Sequence, residues 1–237
     1  MNAASARGSD RFELGRSLAA AAGALQLQIA PEQSRQLIDF VELLFHWSRT
    51  YNLTAVRDPL RMLAHHVVDS LAAVRPLCRQ LAGRPGASIL DVGSGGGLPG
   101  IVFAVMLPEA AVTCIDSIGK KTAFIQQAVA SLNLTNVRVE HMRVEEMTGA
   151  HFDVITSRAF ASLADFARAT TRLLAVEGSW MAMKGKVPAD EISALPSGVE
   201  VFHVEPLIVP GVEGERCLVW MRNAPKVALT STKHVDS

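Results

Sequence analysis

The chain lacks most of the marks of a secreted, membrane-spanning or nucleic-acid-coating protein. Its 237 residues include only three cysteines, Cys78, Cys114 and Cys217, and these lie far apart. Such a set gives neither a disulfide framework nor a zinc cluster, and it suits a reducing compartment; all three read as core residues. No apolar run approaches the roughly 18 residues of a membrane helix. The alanine-rich stretch Leu18 to Ala24 follows Glu13 and Arg16 with no cleavage site behind it, so no secretory signal is expected. Net charge is zero, from 23 basic and 23 acidic residues. That balance argues against indiscriminate binding of nucleic acid and leaves room for a local basic face.

What the chain has in quantity is apolar side chain, 49% of the total. That is enough core for one large domain with an appendage. Residues 1–30 read as an N-terminal extension, with Met1 to Asp10 loose and a helix over Phe12 to Leu25. Residues 31–80 read as a helical cap. Pro31 opens a helix that places Leu37, Phe40, Val41, Leu44, Trp47 and Tyr51 on one face. Asp58-Pro59 reads as an N-cap and first-turn proline, and the helix behind it turns Met62, Leu63, Val67, Leu71 and Val74 inward.

Residues 81–223 alternate strand and helix. Strands are predicted at Ile89–Val92, Val112–Asp116, Val137–His141, Val154–Ser157 and Ser179–Met183. Helices are predicted near Ile101–Met106, Lys121–Ser131 and Leu163–Leu173. Such alternation implies right-handed crossovers and a parallel sheet. Val199–Val209 and Arg216–Arg222, separated by Pro210-Gly211, read as a hairpin rather than another crossover. The expected fold is α/β: a doubly wound, mostly parallel seven-stranded sheet ending in an antiparallel strand, under an N-terminal helical cap. Residues 224–237 read as a loose tail.

The run Asp91-Val92-Gly93-Ser94-Gly95-Gly96-Gly97-Leu98-Pro99-Gly100 joins the first strand to a helix. A glycine turn there lets a ligand approach bare amides at a helix N-terminus. Two patterns overlap in it. Gly93-x-Gly95-x-Gly97 behind Asp91 is the pattern of methyltransferases; Gly95-x-Gly97-x-x-Gly100 satisfies the dinucleotide fingerprint. An acid so close to the glycines would repel a pyrophosphate and favours a cation or hydroxyl, and a cofactor with a cationic amino-acid tail, such as S-adenosylmethionine, fits. Pro99 reads as the first helical residue. A phosphate loop is excluded, because Ile101 and not lysine follows Gly100.

Ligands of open α/β sheets bind beyond the carboxyl ends of the strands. Asp116 ends the second strand at a spacing that lets it accept both ribose hydroxyls of an adenosine cofactor, or simply cap the next helix. After the third strand, Val144 and Glu145 can hold an adenine, or Glu145 can open a short helix and favour its dipole. After the fourth strand comes Ser157-Arg158-Ala159-Phe160. Methyltransferases that act on an exocyclic amine carry Asn/Asp-Pro-Pro-Tyr/Phe at this place, which the chain lacks. Carbon-5 methylation needs a cysteine nucleophile, usually after proline, and no Pro-Cys pair exists. Guanine N7 needs neither, because its lone pair carries no proton. No general base is therefore expected and no residue is assigned as catalytic with certainty. Arg158 can hold a phosphate, a guanine edge or a cofactor carboxylate, or form a salt bridge with Asp153 or Asp165.

Basic side chains gather in two further places. Arg49, Arg57, Arg61, His65 and His66 lie on or between the N-terminal helices, and Lys120, Lys121, Lys184 and Lys186 at strand or loop ends. Arg49, Arg57, His66, Lys120, Lys121 and Lys184 are the candidates for an RNA-facing surface, against the plain reading of solvated charge. The His65-His66 pair has no third ligand at suitable spacing, so no metal is expected.

Six segments in order resemble one family. They are Tyr51-Asn52-Leu53-Thr54-Ala55-Val56-Arg57-Asp58, His66-Val67-Val68-Asp69-Ser70, Asp91 to Gly100, Asp116-Ser117 with Lys120-Lys121, Arg143-Val144-Glu145-Glu146, and Ser157 to Phe160. The chain resembles, from about Pro31 to Arg222, the bacterial small-subunit ribosomal RNA methyltransferase G family, also called the glucose-inhibited division protein B family. The resemblance implies a class I S-adenosylmethionine methyltransferase fold and methylation of N7 of a guanine in the 530 loop of 16S rRNA. It also implies a cytoplasmic enzyme that acts on the small ribosomal subunit or its precursor, without membrane or obligate protein partner. Family cofactor positions fall on Gly93, Leu98, Val144, Glu145 and Arg158; with Gly95 and Asp116 from the turn and the strand end, these form the expected cofactor site. Many members carry proline where this chain has Gly96, which should matter little. The stretch to Ala30 and the tail after Arg222 are departures from the family pattern with no assigned role. The competing readings are a small-molecule methyltransferase with the same cofactor half, a non-catalytic RNA-binding relative, and an NAD-dependent dehydrogenase.

Overall fold

The computed structural model describes residues 3–158 and 160–225. Its centre is a seven-stranded sheet of order β3-β2-β1-β4-β5-β7-β6. The strands are β1 (Ser88–Val92), β2 (Ala111–Asp116), β3 (Val137–His141), β4 (Phe152–Ser157), β5 (Leu174–Lys184), β6 (Val199–Leu207) and β7 (Arg216–Asn223). β1 to β5 pair in parallel, and β7 runs antiparallel to both β5 and β6. β1 lies between β2 and β4, and its Ile89, Leu90 and Val92 are buried on both faces. The strand order reverses there, which places a crevice beyond the ends of β1 and β4.

The crossover helices α6 (Gly100–Met106), α7 (Gly119–Ser131) and α8 (Leu163–Thr170) match their predicted positions. α6 begins one residue later than the proline reading required: Pro99 is its N-cap. The C-terminal strands correct the hairpin reading in part. A short helix, α9 (Ala189–Ser193), joins β5 to β6, so this link is a further crossover to the sheet edge. The chain then turns back and β7 slots between β5 and β6, with Lys184 opposite Cys217. The antiparallel strand is therefore internal. β5 also starts earlier than predicted, and its Trp180 is fully buried with its indole N–H donating to Thr170 Oγ1 at 2.8 Å.

Two apolar layers cover the sheet. One holds α8 and Met147, Phe152 and Trp180; the other joins α6 and α7 to the N-terminal helices. α1 (Ala3–Ala24) is longer than predicted, and the loose reading of Met1 to Asp10 gives way to helix from Ala3 on. Leu14, Leu18 and Ala21 are buried in the same layer as Leu37 and Phe40 of α2 (Pro31–Tyr51), so the cap starts with α1 rather than at residue 31. Arg11 ties α1 to α2 through Asp39 and Glu42. On α2, Leu37, Phe40, Val41 and Leu44 are buried, Trp47 packs edge-on against Phe124, and Tyr51 is exposed beside Trp47. Cys114 and Cys217 are buried and Cys78 is exposed, which corrects its core reading.

The helix behind Asp58 is not continuous. Asp58 does cap α3 (Pro59–Met62), accepting from the Arg61 amide at 2.8 Å. A π-helical turn, Leu63–Val68, then leads into α4 (Asp69–Ala72) and α5 (Val74–Gln80). A π turn holds more residues per turn than an α-helix, and such turns recur at functional sites. Met62, Leu63, Val67, Leu71 and Val74 stay buried, as predicted, while His65, His66 and Asp69 reach the crevice. Of the predicted tail, Ala224 bonds to the Gly198 carbonyl at 2.9 Å, and residues 226–237 lie outside the described residues.

The packing of α1 is directly testable. Leu18→Ala removes a fully buried side chain from the shared layer and should cost about 2–5 kcal/mol in urea denaturation. A loss below 0.5 kcal/mol would mean that α1 does not dock on α2.

Candidate active site

The turn between β1 and α6 is built on glycine conformations. Gly93, Gly95 and Gly97 have φ of 68°, 57° and 77°, a region that side chains rarely adopt. The Gly93 and Ser94 amides donate to the Ile115 carbonyl of β2 at 2.9 and 3.2 Å. The Gly100 amide donates to Asp91 Oδ2 at 2.9 Å. A Cβ on Gly100 would lie 2.5 Å from Cys114 Sγ and 2.9 Å from Asp91 Oδ2, so only glycine fits there.

Asp91 itself has a different role from the one its sequence position suggests. It is fully buried and lines neither cavity of the site, so it does not meet a cationic ligand. It anchors the start of α6 from beneath the turn. Among the described residues its Oδ1 has no hydrogen-bond partner. Burial pushes its pKa up to about 6, against the pull of the Gly100 amide.

Two cavities flank the turn, of about 620 and 220 Å³, and Gly93 lines both. The smaller is bordered by Asp116, Val144, Glu145 and Phe160. Asp116 Oδ2 accepts from the Gly95 amide at 3.0 Å and Oδ1 from the Ile118 amide at 2.9 Å, just before α7. It is not the cap of α7, whose N-cap is Ile118 without a side-chain cap bond, and each of its carboxylate oxygens keeps a lone pair for a ribose hydroxyl. Val144 is an apolar wall, buried and held by Arg172, which donates to the Val144 and Met147 carbonyls. Val144–Glu146 is a short 3-10 turn, so Glu145 opens a helical turn and also borders the cavity, with Arg143 3.6 Å away.

The larger cavity gathers Leu98, Lys121, Arg158 and Lys184 from the predicted set. Arg158 pairs with neither acid named for it. Asp153 belongs to Arg84 and Asp165 to Arg168. Arg158 Nη1 instead lies 3.2 Å from Asp69 Oδ2, and Arg216 Nε lies 3.1 Å from Asp69 Oδ1. Lys184 Nζ is paired with Glu191 at 2.8 Å, and Lys121 Nζ lies 3.6 Å from Asp116.

The other basic candidates separate. His66 lines the large cavity but is not a cation: Nε2 lies 2.7 Å from Thr54 Oγ1, and burial together with the charge of Arg158 lowers its pKa to about 4. In the free protein His66 is therefore neutral at neutral pH. Arg57 bonds the Ser48 carbonyl and the Asn52 side chain, closing the end of α2. Arg49 and Lys120 are exposed and border neither cavity. Among the described residues no group of three His, Cys, Asp or Glu side chains is placed to hold a metal, and no helix is long and apolar enough to cross a membrane.

Asp69 and Arg216 are cavity-lining candidates that sequence reasoning missed. Asp69 stood inside a quoted segment, His66 to Ser70, without a role. Arg216 carried no local signal, because its partner lies 147 positions away.

The chain matches the family described as rRNA small subunit methyltransferase G over residues 33–219. A relative bearing that name from Acidovorax sp. (strain JS42) is 56% identical over 208 residues, covering 85% of this chain and 92% of the relative. Another from Polaromonas sp. (strain JS666 / ATCC BAA-500) is 57% identical over 202 residues, covering 84% and 89%. Among solved structures, a SAM dependent methyltransferase from Aquifex aeolicus superposes with a TM-score of 0.52 at 17% identity, covering 70% of this chain and 94% of that one. TrmN from Thermus thermophilus superposes with a TM-score of 0.51 at 20% identity, covering 68% and 53%. At these identities the solved structures show a shared fold.

The buried Asp91 gives a signed pH dependence. Its pKa is raised in the folded protein from 3.8 to about 6, so folding favours the protonated form. The stabilising contribution is full below pH 4 and is lost as pH rises through about 6. Relative to Asp91→Asn, the wild type should lose on the order of 3 kcal/mol across that window. Parallel stability curves from pH 4 to 7 would contradict it.

Proposed function

The chain belongs to the rRNA small subunit methyltransferase G family, and from that premise we propose that it methylates N7 of a guanine in the 530 loop of 16S rRNA. It has the class I fold of S-adenosylmethionine-dependent methyltransferases, and it is such an enzyme, with small-subunit rRNA as its substrate. The finer reading rests on the family match; the observation that supports it in the structure is Gly93, a left-handed glycine at the junction of two cavities, which leaves a path for the cofactor.

The residues present fit the cofactor. The smaller cavity offers a nucleoside the Val144 wall, the Glu145 loop and the Asp116 carboxylate for its ribose. Gly93 and Gly95 leave room for the cofactor's middle, and Leu98 and Arg158 face the amino-acid end in the larger cavity. S-adenosylmethionine, when bound, supplies a methyl group on a positively charged sulfur. The reaction asks little acid or base of the protein, because N7 offers a free lone pair. Asp69 is engaged by two arginines and His66 Nε2 by Thr54, which supports transfer through alignment and desolvation alone. A wall carrying Lys121, Arg158, Lys184 and Arg216 favours a polyanion over an apolar small molecule. The exposure of Arg49 and Lys120 supports phosphate contacts farther out, whereas Arg57 is held by Ser48 and Asn52. On this reading the enzyme works in the cytoplasm, on the small subunit or its precursor.

Two experiments test this. Deleting the gene should leave the 530-loop guanine unmethylated at N7 by chemical cleavage, with restoration by the cloned gene; persistence of the methyl group would refute the assignment. Asp116→Ala should weaken S-adenosylmethionine binding by about 1–3 kcal/mol in calorimetry. Unchanged affinity would reduce Asp116 to a support of the turn.

A further inference from the structure

Asp69 stands where three elements meet. It opens α4, while Arg158 follows β4 and Arg216 opens β7, and all three line the larger cavity. The carboxylate is shared, one oxygen to each guanidinium, at 3.2 and 3.1 Å. Its side chain is 10% exposed, against 23% for Arg158 and 30% for Arg216. One negative charge thus serves two positive ones in a half-buried cleft. The neighbouring lysines are better balanced: Lys184 is the one cation paired with Glu191 among the described residues, and Lys121 has Asp116 within 3.6 Å. The unbalanced positive charge of the cleft therefore sits on the arginine pair.

A guanidinium has five N–H donors. Asp69 takes one of Arg158's, while Arg216 also gives Nη1 to the Glu215 carbonyl at 2.7 Å. Each arginine keeps donors for an incoming anion, and the buried carboxylate fixes where they point. We infer that Asp69 is a positioning residue that spaces a two-arginine receptor, in which Arg216 takes the phosphodiester next to the target base while Arg158 faces the cofactor. This rests on the functional reading above and adds to it a residue for the RNA backbone and a carboxylate that orients it.

The test uses 30S subunits purified from a strain lacking the gene, with labelled S-adenosylmethionine. Arg216→Ala should raise KM for the subunits about tenfold and leave S-adenosylmethionine affinity unchanged. Loss of one phosphate contact should also lower the slope of log binding constant against log salt by about 0.7. Arg216→Lys should retain the slope, because the charge remains, with reduced turnover because the planar fork is lost. Asp69→Asn should lower kcat at least tenfold without weakening subunit binding, since the cleft becomes more positive. An unchanged KM and salt slope in Arg216→Ala would overturn the phosphate role, and an unchanged kcat in Asp69→Asn would overturn the positioning role. If the wild type methylates neither these subunits nor precursor particles from the same strain, the functional reading itself fails.

Discussion

A single buried hydrogen bond, from the Gly100 amide to Asp91 Oδ2 at 2.9 Å, ties the end of the central strand to the first turn of α6. The glycine turn is held between these two points, with its first amides on the Ile115 carbonyl and Asp116 under Gly95. Both cavities take their place from it. The arrangement tolerates no side chain at position 100, where Cys114 and Asp91 already touch the space a Cβ would need. It also keeps a carboxyl fully buried, and that burial is why Asp91 binds protons more tightly than an ordinary aspartate.

Charge is distributed to suit a polyanion despite the zero total. Away from the cleft, several cations are matched to acids: Arg11 to Asp39 and Glu42, Arg79 to Glu205, Arg84 to Asp153, and Arg168 to Asp165. Within it, two arginines share Asp69. Overall charge is therefore a poor guide to what this surface recognises, and local pairing decides it. His66, which looks cationic in the sequence, contributes shape and hydrogen bonding instead, since burial and Arg158 keep it neutral.

The parallel half of the fold was legible because its strands are short apolar runs and its helices have clear starts. Ile89 to Val92 and the α7 segment show this, and Asp58 announced its helix by capping chemistry. The places that escaped notice have physical reasons. α9 is short with no buried residue, so it left no apolar period. The entry of β7 between β5 and β6 depends on long-range pairing that no local pattern encodes. The π turn at Leu63–Val68 keeps the same apolar residues inside as a regular helix would, so periodicity could not reveal it. Within the site, the turn, Asp116 and Val144 were readable from strand-end position. The true partner of Arg158 was not, since Asp69 lies 89 positions away and two nearer acids offered themselves.

A crystal soaked with S-adenosylhomocysteine, the demethylated form of the cofactor, tests the central claim most directly. The account predicts density for the nucleoside against Val144 with its ribose on Asp116, and for the amino-acid tail passing Gly93 toward Arg158. Density for the ligand outside both cavities, or with its ends exchanged between them, would contradict it.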